Sequence, residues 1–181
     1  MQTLEGLRNR IGAAEDLHSV VRTMKGMAAV NIRRSELAVE ALTDYGRATA
    51  LGFQALLRRH PEALRAVAPD RVDTVAAVVF GSDHGMCGAL NREIVTHALD
   101  HLHTTYPQTD ALIAAVGDRA EVELYGADVS SLVTLHPPTS VVELTPIVQE
   151  VMLLFERWRF EQGVDAIVLY HHQPLSGARY T

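Results

Sequence analysis

A proline-free stretch from Leu4 to Arg59 constrains this chain more than any other feature of its sequence. Apolar or small side chains recur along it about every 3.5 residues, which is the period at which α-helices wind into left-handed supercoils. These positions are Leu4, Leu7, Ile11, Ala14, Leu17, Val21, Met24, Ala28, Ile32, Ser35, Val39, Leu42, Gly46, Thr49, Phe53 and Leu56. The pattern predicts one α-helix about 80 Å long, with Thr3 as its N-cap and Pro61 as its stop.

A helix of this length is not stable alone, because its apolar seam would stay in water. The rest of the chain can form only a small globule, so we expect most of the helix to project from it. The seam therefore needs another helix or a partner protein to cover it. A helical hairpin broken near Gly46 or Gly52 is the alternative interpretation.

Beyond Pro61 the pattern changes to short apolar runs separated by helical stretches. The apolar runs do not alternate with polar residues, which is typical of strands buried on both faces, and they lie at 74–80, 111–116, 131–135 and 166–170. The helical stretches lie near 90–104, 118–126 and 144–162. This alternation predicts an α/β fold, in which a linker at 61–73 joins the long N-terminal helix at 1–60 to a Rossmann-like three-layer domain at 74–181 with a mainly parallel sheet.

The net charge of −6 argues against a general nucleic-acid-binding protein, but the charge is unevenly distributed. Residues 1–60 carry nine Lys or Arg against six Asp or Glu, whereas the rest of the chain carries seven against sixteen. Four basic residues lie on the predicted helix without an acid between them: Arg22, Lys25, Arg33 and Arg34. At 100° per residue the first three share one side and Arg34 points away from it. On a helix that needs a partner, such a side predicts contact with acidic groups of that partner.

The sequence contains no candidate membrane span and a single cysteine. No apolar run approaches the roughly 18 residues that cross a bilayer, and the N-terminus has no apolar signal core. Cys87 cannot form an internal disulfide, and a buried thiol at this position suits a reducing, cytosolic compartment.

The loop 81–91, GSDHGMCGALN, follows the first predicted strand, where α/β sheets usually present ligands. Its three glycines match neither the dinucleotide fingerprint nor the P-loop. A phosphate site is therefore one interpretation, and tight packing of the loop on the strand is the other. Cys87 with His84 could form a reactive thiol site, although the sequence shows no acid or amide paired with His84.

Several histidines have spacings that a metal ion could use. They are His97, His101 and His103 on one predicted helix, and the pair His171 and His172 near the end of the chain. The first three are typical of the solvent-exposed face of a helix, and no cluster of carboxylates or cysteines accompanies them. We therefore expect no metal site there.

Two segments together resemble the gamma subunit of F-type ATP synthases. Residues 22–36, RTMKGMAAVNIRRSE, are similar to the motif of that family's N-terminal helix, and residues 81–94, GSDHGMCGALNREI, to a loop segment of the same family. The separation of the two motifs and the order of long helix and βα domain are also similar. The resemblance covers essentially the whole chain.

The resemblance implies the non-catalytic central stalk of a rotary ATP synthase, which couples proton or sodium movement to ATP synthesis or hydrolysis. The helix would pair with a C-terminal helix inside a ring of alpha and beta subunits. The α/β domain would contact the epsilon subunit and the membrane-embedded c-ring, at the cytoplasmic face of a bacterial inner membrane. The resemblance implies no catalytic residue, no cofactor and no metal.

The family's motifs transfer to this chain residue by residue. The candidate subunit-interface residues are Arg22, Met24, Lys25, Met27, Arg33 and Arg34, and the loop motif falls on Ser82, Asp83, Gly85, Cys87, Gly88, Leu90 and Asn91. His84 stands where the family usually has arginine, Ala89 replaces a glycine, and Gly26 lies inside the helix at a cost of about 1 kcal/mol relative to Ala.

The sequence ends soon after the last predicted strand, whereas the family continues into a C-terminal shaft helix. We therefore expect a fragment, a truncated product or a divergent gamma-like protein. Two other classes remain open: a stand-alone α/β enzyme that binds a phosphorylated ligand at the loop, and a coiled-coil adaptor that self-associates through residues 4–59.

Overall fold

A computed structural model describes residues 4–61, 71–175 and 179–181, which fall into two units divided after Arg59. The first unit is a single helix, α1, Leu4–Arg59. It continues through Gly46 and Gly52, so the interpretation as a broken hairpin is wrong. The predicted cap at Thr3 and most of the predicted linker at 61–73 lie outside the described residues, and the predicted domain boundaries stay a prediction.

Polar side chains along α1 form local interactions within the helix. Ion pairs between residues three apart join Arg33 to Glu36 and Arg47 to Asp44. Several threonine hydroxyls donate to the carbonyl oxygen four residues earlier, as Thr43 Oγ1 does to Val39 at 2.7 Å, so these polar side chains need no outside partner. No helix among the described residues is long and apolar enough to span a membrane.

The second unit alternates strands and helices, as the sequence predicts. In chain order it contains β1 Val75–Phe80, α2 Leu90–Thr105, β2 Ala111–Val116, α3 Asp118–Gly126, β3 Val133–Leu135, a 3₁₀ turn Val141–Glu143, α4 Leu144–Glu161 and β4 Ala166–Tyr170. The strands form one sheet in the order β3-β2-β1-β4, with every pair parallel. The predicted α/β class with a mainly parallel sheet is confirmed.

The sheet is covered on both faces, which explains why its strands are apolar without alternation. On one face Val75, Ala77 and Val79 of β1 pack with α2 and α3. On the other face Ala76 and Val78 pack with α4, where Trp158 is 1% exposed. The result is the three-layer arrangement that the sequence predicts.

Two contacts fix the edge strand β4. The Asp165 carboxylate accepts hydrogen bonds from the backbone N–H groups of Asp73 and Thr74 at 2.8 and 3.0 Å, which places the start of β4 beside the start of β1. Gly163, with φ +65°, ends α4, and the next N–H, that of Val164, donates to the Trp158 carbonyl at 3.0 Å.

Candidate functional site

The central part of α1 has three chemically different sides. The predicted seam supplies the first, with Val21, Met24, Ile32 and Val39 all exposed. No residue of α1 is buried. An apolar seam of this length in water indicates that the helix functions against another protein surface.

A second apolar side lies away from the seam. Val20, Met27, Val30 and Leu37 follow one another at spacings of three and seven residues, and each is about half exposed or more. Arg34 lies on this side, between Val30 and Leu37. The sequence analysis identified only the first seam. The second side could have been found from the spacing of these four residues, which recur after seven, three and seven positions.

The third side carries Arg22, Lys25 and Arg33. Of these, only Arg33 has an ion pair among the described residues, with Glu36 at 3.4 Å, and both side chains are more than half exposed. An exposed pair of this kind contributes little to stability and dissociates easily. Arg22 and Lys25 on this side, and Arg34 on the second apolar side, have no carboxylate within the structure described.

The loop after β1 is organised by the Asn91 side chain, which is buried. Its Oδ1 accepts a hydrogen bond from the Ser82 N–H at 2.9 Å, and its Nδ2 donates to Ser82 Oγ at 3.0 Å and to Cys87 Sγ at 3.2 Å. Ser82 Oγ in turn donates to the His84 carbonyl at 2.8 Å. The polar groups inside the loop therefore satisfy one another.

Close backbone approaches explain two of the glycines at this edge. A Cβ on Gly117 would lie 2.7 to 2.8 Å from the backbone of Ser82, and Gly117 has φ +102°. A Cβ on Gly81 would overlap Asn91 Oδ1 and lie 2.8 Å from the Ala120 Cβ. The loop after β1 thus packs directly on the start of α3, and side chains at these positions would separate them.

The carboxyl ends of three neighbouring strands meet at a small polar cluster. Asp83 follows β1, Asp118 follows β2 and His136 follows β3. His136 Nδ1 lies 3.6 Å from an oxygen of Asp83 and 3.5 Å from one of Asp118, and Asp83 also accepts from the Asp118 N–H at 3.1 Å. The cluster links three loops through side chains that are partly or largely exposed.

Two hydrogen-bonding groups of the loop after β1 are already paired with side chains of the protein. β1 has β2 on one side and β4 on the other, so the loop lies at the switch point where open α/β sheets bind ligands. There, however, Asn91 occupies the Ser82 N–H, and His172, after β4, bonds through Nε2 to the Leu90 carbonyl at 2.9 Å. The Ser82 N–H, a donor that a phosphate could use, and the His172 ring are therefore already engaged within the protein.

Comparison with known protein families decides between the open classes. The family model described as ATP synthase, that of the gamma subunit, matches residues 3–181. This chain belongs to the ATP synthase gamma subunit family.

Relatives of this gamma-family chain are bacterial and of modest identity. The ATP synthase gamma chain of Sinorhizobium medicae is 30% identical over 114 residues, which are 60% of this chain and 38% of that protein. The gamma chain of Maricaulis maris is 27% identical over 129 residues, 68% of this chain and 44% of that protein. The gamma chain of a Synechococcus strain is 31% identical over 101 residues, 54% and 32% respectively. The chain thus spans less than half the length of the curated relatives it matches.

The gamma family's two motifs lie in different units of this structure. The helix residues Arg22, Met24, Lys25, Met27, Arg33 and Arg34 are all exposed on α1. In the loop, Ser82, Cys87 and Asn91 converge, whereas Asp83 belongs to the strand-end cluster. A Cβ on Gly85 would lie 3.4 Å from the Arg119 guanidinium, and Gly88 has a positive φ of +65°. The Leu90 carbonyl accepts a hydrogen bond from His172 Nε2. Their functional roles stay predictions.

Sequence reasoning did not single out Asp118, Arg119 or His136. Their positions in the sequence could have identified them. Asp118 and Arg119 come just after β2 and His136 directly after β3, and the carboxyl ends of parallel strands share one edge of a sheet. Arg119 also donates its N–H to the Ser82 carbonyl at 2.9 Å. Together they connect the family's loop to the next two strands.

The prediction that His97, His101 and His103 lie on the solvent-exposed face of a helix is only partly correct. His97 and His103 are exposed, but His101 is half buried and its Nδ1 lies 2.7 Å from the Tyr170 hydroxyl. Burial, with a smaller contribution from Tyr106, raises the pKa of Tyr170 to about 12. In the part of the chain that the structure describes, the only group of three potential metal ligands is Asp83, Asp118 and His136, and it includes none of these histidines.

Proposed function

We propose that this chain is the central-stalk, or rotor-shaft, subunit of a bacterial F-type ATP synthase. It has no catalytic role of its own and couples proton- or sodium-driven rotation to ATP synthesis or hydrolysis at the beta subunits. Alpha and beta subunits surround α1, while the epsilon subunit and the c-ring contact the α/β unit. The subunit is peripheral, at the cytoplasmic face of the inner membrane.

The observation that carries this proposal is α1 itself. It is an uninterrupted helix of 56 residues with no buried residue, and it presents two apolar sides and one basic side. Such a helix needs apolar partners on at least two sides and acidic groups near the third. A ring of subunits around the helix supplies all of these together, whereas a single coiled-coil partner covers only the seam.

The three different sides also provide a physical means of coupling. A ligand-free shaft changes the affinity of a distant site only if its contacts differ between the conformations of that site. As α1 turns, a given subunit of the ring would meet first an apolar and then a basic side. Those contacts have different free energies, so each orientation would favour a different conformation of the surrounding subunits.

Co-expression with the cognate alpha and beta subunits tests the proposal. The chain, or a version extended at its C-terminus by a shaft helix of the family's kind, should co-purify with the assembly at one copy per ring. If neither version enters the purified assembly, the proposal is wrong.

Charge reversal tests the contribution of the basic residues on α1. The double variant Arg33→Glu, Arg34→Glu should lower the yield of assembly or the coupled ATPase activity while the helix content stays the same. Arg58→Glu, Arg59→Glu is the matched control, because it reverses an adjacent pair in the last turn of the same helix. Equal behaviour of the two double variants would contradict an interface role for Arg33 and Arg34.

A further inference from the structure

Helix α4 carries apolar side chains on a side that faces the sheet and on a second side that does not. Leu154 and Trp158 face the sheet and are buried. Leu153 and Phe160, seven residues apart and therefore on one side, are turned away from that face and are 59% and 86% exposed. A surface helix is normally polar on its outer side, and a helix that is apolar all round is normally buried between two layers. Within the α/β unit, no other described element covers the outer face of α4.

Charged side chains surround these two apolar residues. A groove of about 390 Å³ is lined by Leu153, Phe160, Glu150, Glu156, Arg157 and Glu161. Three glutamates against one arginine make its rim acidic, and within the described residues none of the three glutamates has an ion pair. An apolar centre with a polar rim is the common anatomy of protein interfaces, and aromatic residues are frequent anchors in them.

We propose that the outer face of α4, defined by Leu153, Phe160 and the three glutamates of the groove, docks a basic amphipathic segment of another stalk subunit. The partner segment places apolar side chains on Leu153 and Phe160 and carries Lys or Arg opposite the glutamates. Charge complementarity selects this chemistry, because an acidic or uncharged segment would leave the carboxylates of the rim unpaired. The inference rests on the proposed function for the identity of the assembly that contains the partner.

Site-specific photocrosslinking in the purified assembly tests the inference. p-Benzoylphenylalanine replaces Phe160 in one preparation and Tyr125 in another; Tyr125 is the matched control, an aromatic residue of α3 that is 78% exposed. The probe at 160 should crosslink to one subunit, at an apolar residue with Lys or Arg within four positions. The probe at 125 should not reach that segment.

The affinity of the same contact gives a second measurement. Phe160→Ala should weaken binding of the crosslinked subunit by about 30-fold, the level expected for an anchor residue, and Tyr125→Ala should leave it unchanged. Because Phe160 is almost fully exposed, we expect its replacement to leave the fold intact, and Trp158 fluorescence verifies that each variant is folded. Leu153→Glu is an independent variant on the same face.

The possible failures are distinguishable. If the unmodified chain does not enter the assembly, the proposed function is wrong and this inference falls with it. If the chain assembles but position 160 gives no crosslink, or crosslinks to an acidic or uncharged segment, only the inference is overturned. Unchanged affinity in both Phe160→Ala and Leu153→Glu overturns it as well.

Discussion

Replacing Gly117 by alanine tests whether the backbone contact between the loop after β1 and the start of α3 stabilises the α/β unit. Gly117 has φ +102° and ψ 132°, a region that costs a residue with a Cβ about 1–3 kcal/mol. The new Cβ would also lie 2.7 to 2.8 Å from the backbone of Ser82, which cannot rotate away as a side chain could.

Displacing Ser82 would weaken the hydrogen bonds that it makes with Arg119 and Asn91, at 2.9 Å each. Each such bond contributes about 0.5–1.5 kcal/mol. Together with the backbone strain, we expect Gly117→Ala to lower the free energy of unfolding by about 3–5 kcal/mol. For a unit of this size the melting temperature should fall by about 15 °C.

Urea unfolding followed by tryptophan fluorescence measures this loss, because the chain has one tryptophan and Trp158 lies in the core of the α/β unit. Two control variants separate the causes. Gly88→Ala, at φ +65° with no atom within 4 Å, isolates the backbone strain at about 1–2 kcal/mol. Gly126→Ala, with neither strain nor contact, should be neutral or slightly stabilising. If Gly117→Ala lost no more stability than Gly88→Ala, the contact with Ser82 would not be stabilising and the reasoning would fail.

Further predictions concern single side chains of the α/β unit. Asn91→Ala leaves the Ser82 N–H without its partner and should cost about 1–3 kcal/mol in the same urea assay; a loss within error of zero would contradict the role of Asn91 as the centre of the loop. Hydrogen bonds from Asp73 and Thr74 hold the pKa of Asp165 below its usual range, so its stabilisation is fully present above the ordinary Asp pKa and lost as pH falls through the lowered one. Asp165→Asn should remove that part of the acid dependence of the urea midpoint. Because burial raises the pKa of Tyr170 to about 12, stability should fall as pH rises from 10 towards 12, and Tyr170→Phe should flatten that fall. Cys87→Ser should leave ATPase coupling intact, and complete loss of coupling in a folded variant would indicate a thiol function instead.

Much of the fold was predictable because its signals are local. The proline-free heptad pattern predicted α1, and the short unalternating apolar runs predicted the buried strands to within two residues of their observed starts. Strand order was not predictable in this way, because VAAVVF and ALIAAV are equally apolar and neither sequence specifies its neighbour. The order depends instead on which connections pack against which face of the sheet.

The candidate sites were predictable in part for the same reason. The basic side of α1 follows from helical periodicity, which fixes the directions of Arg22, Lys25 and Arg33. The contact of Gly117 with Ser82 joins residues 35 positions apart, and no local pattern encodes it. Likewise, His101 looked exposed from its helix alone, since its partner Tyr170 comes from a strand 69 residues later.

The loop after β1 occupies a position where α/β proteins usually bind ligands, yet its polar groups are satisfied internally. Asn91 bonds to Ser82 and Cys87, and the Arg119 N–H bonds to the Ser82 carbonyl. A ligand would have to replace these bonds, each of which is already short and well placed, before it gained any of its own. Next to the loop, the Gly81 N–H donates to the Val116 carbonyl and joins the ends of β1 and β2, while the Gly117 N–H donates to the Leu135 carbonyl and joins the ends of β2 and β3. The hydrogen bonds that occupy the Ser82 backbone therefore also join the loop after β1 to the starts of α2 and α3.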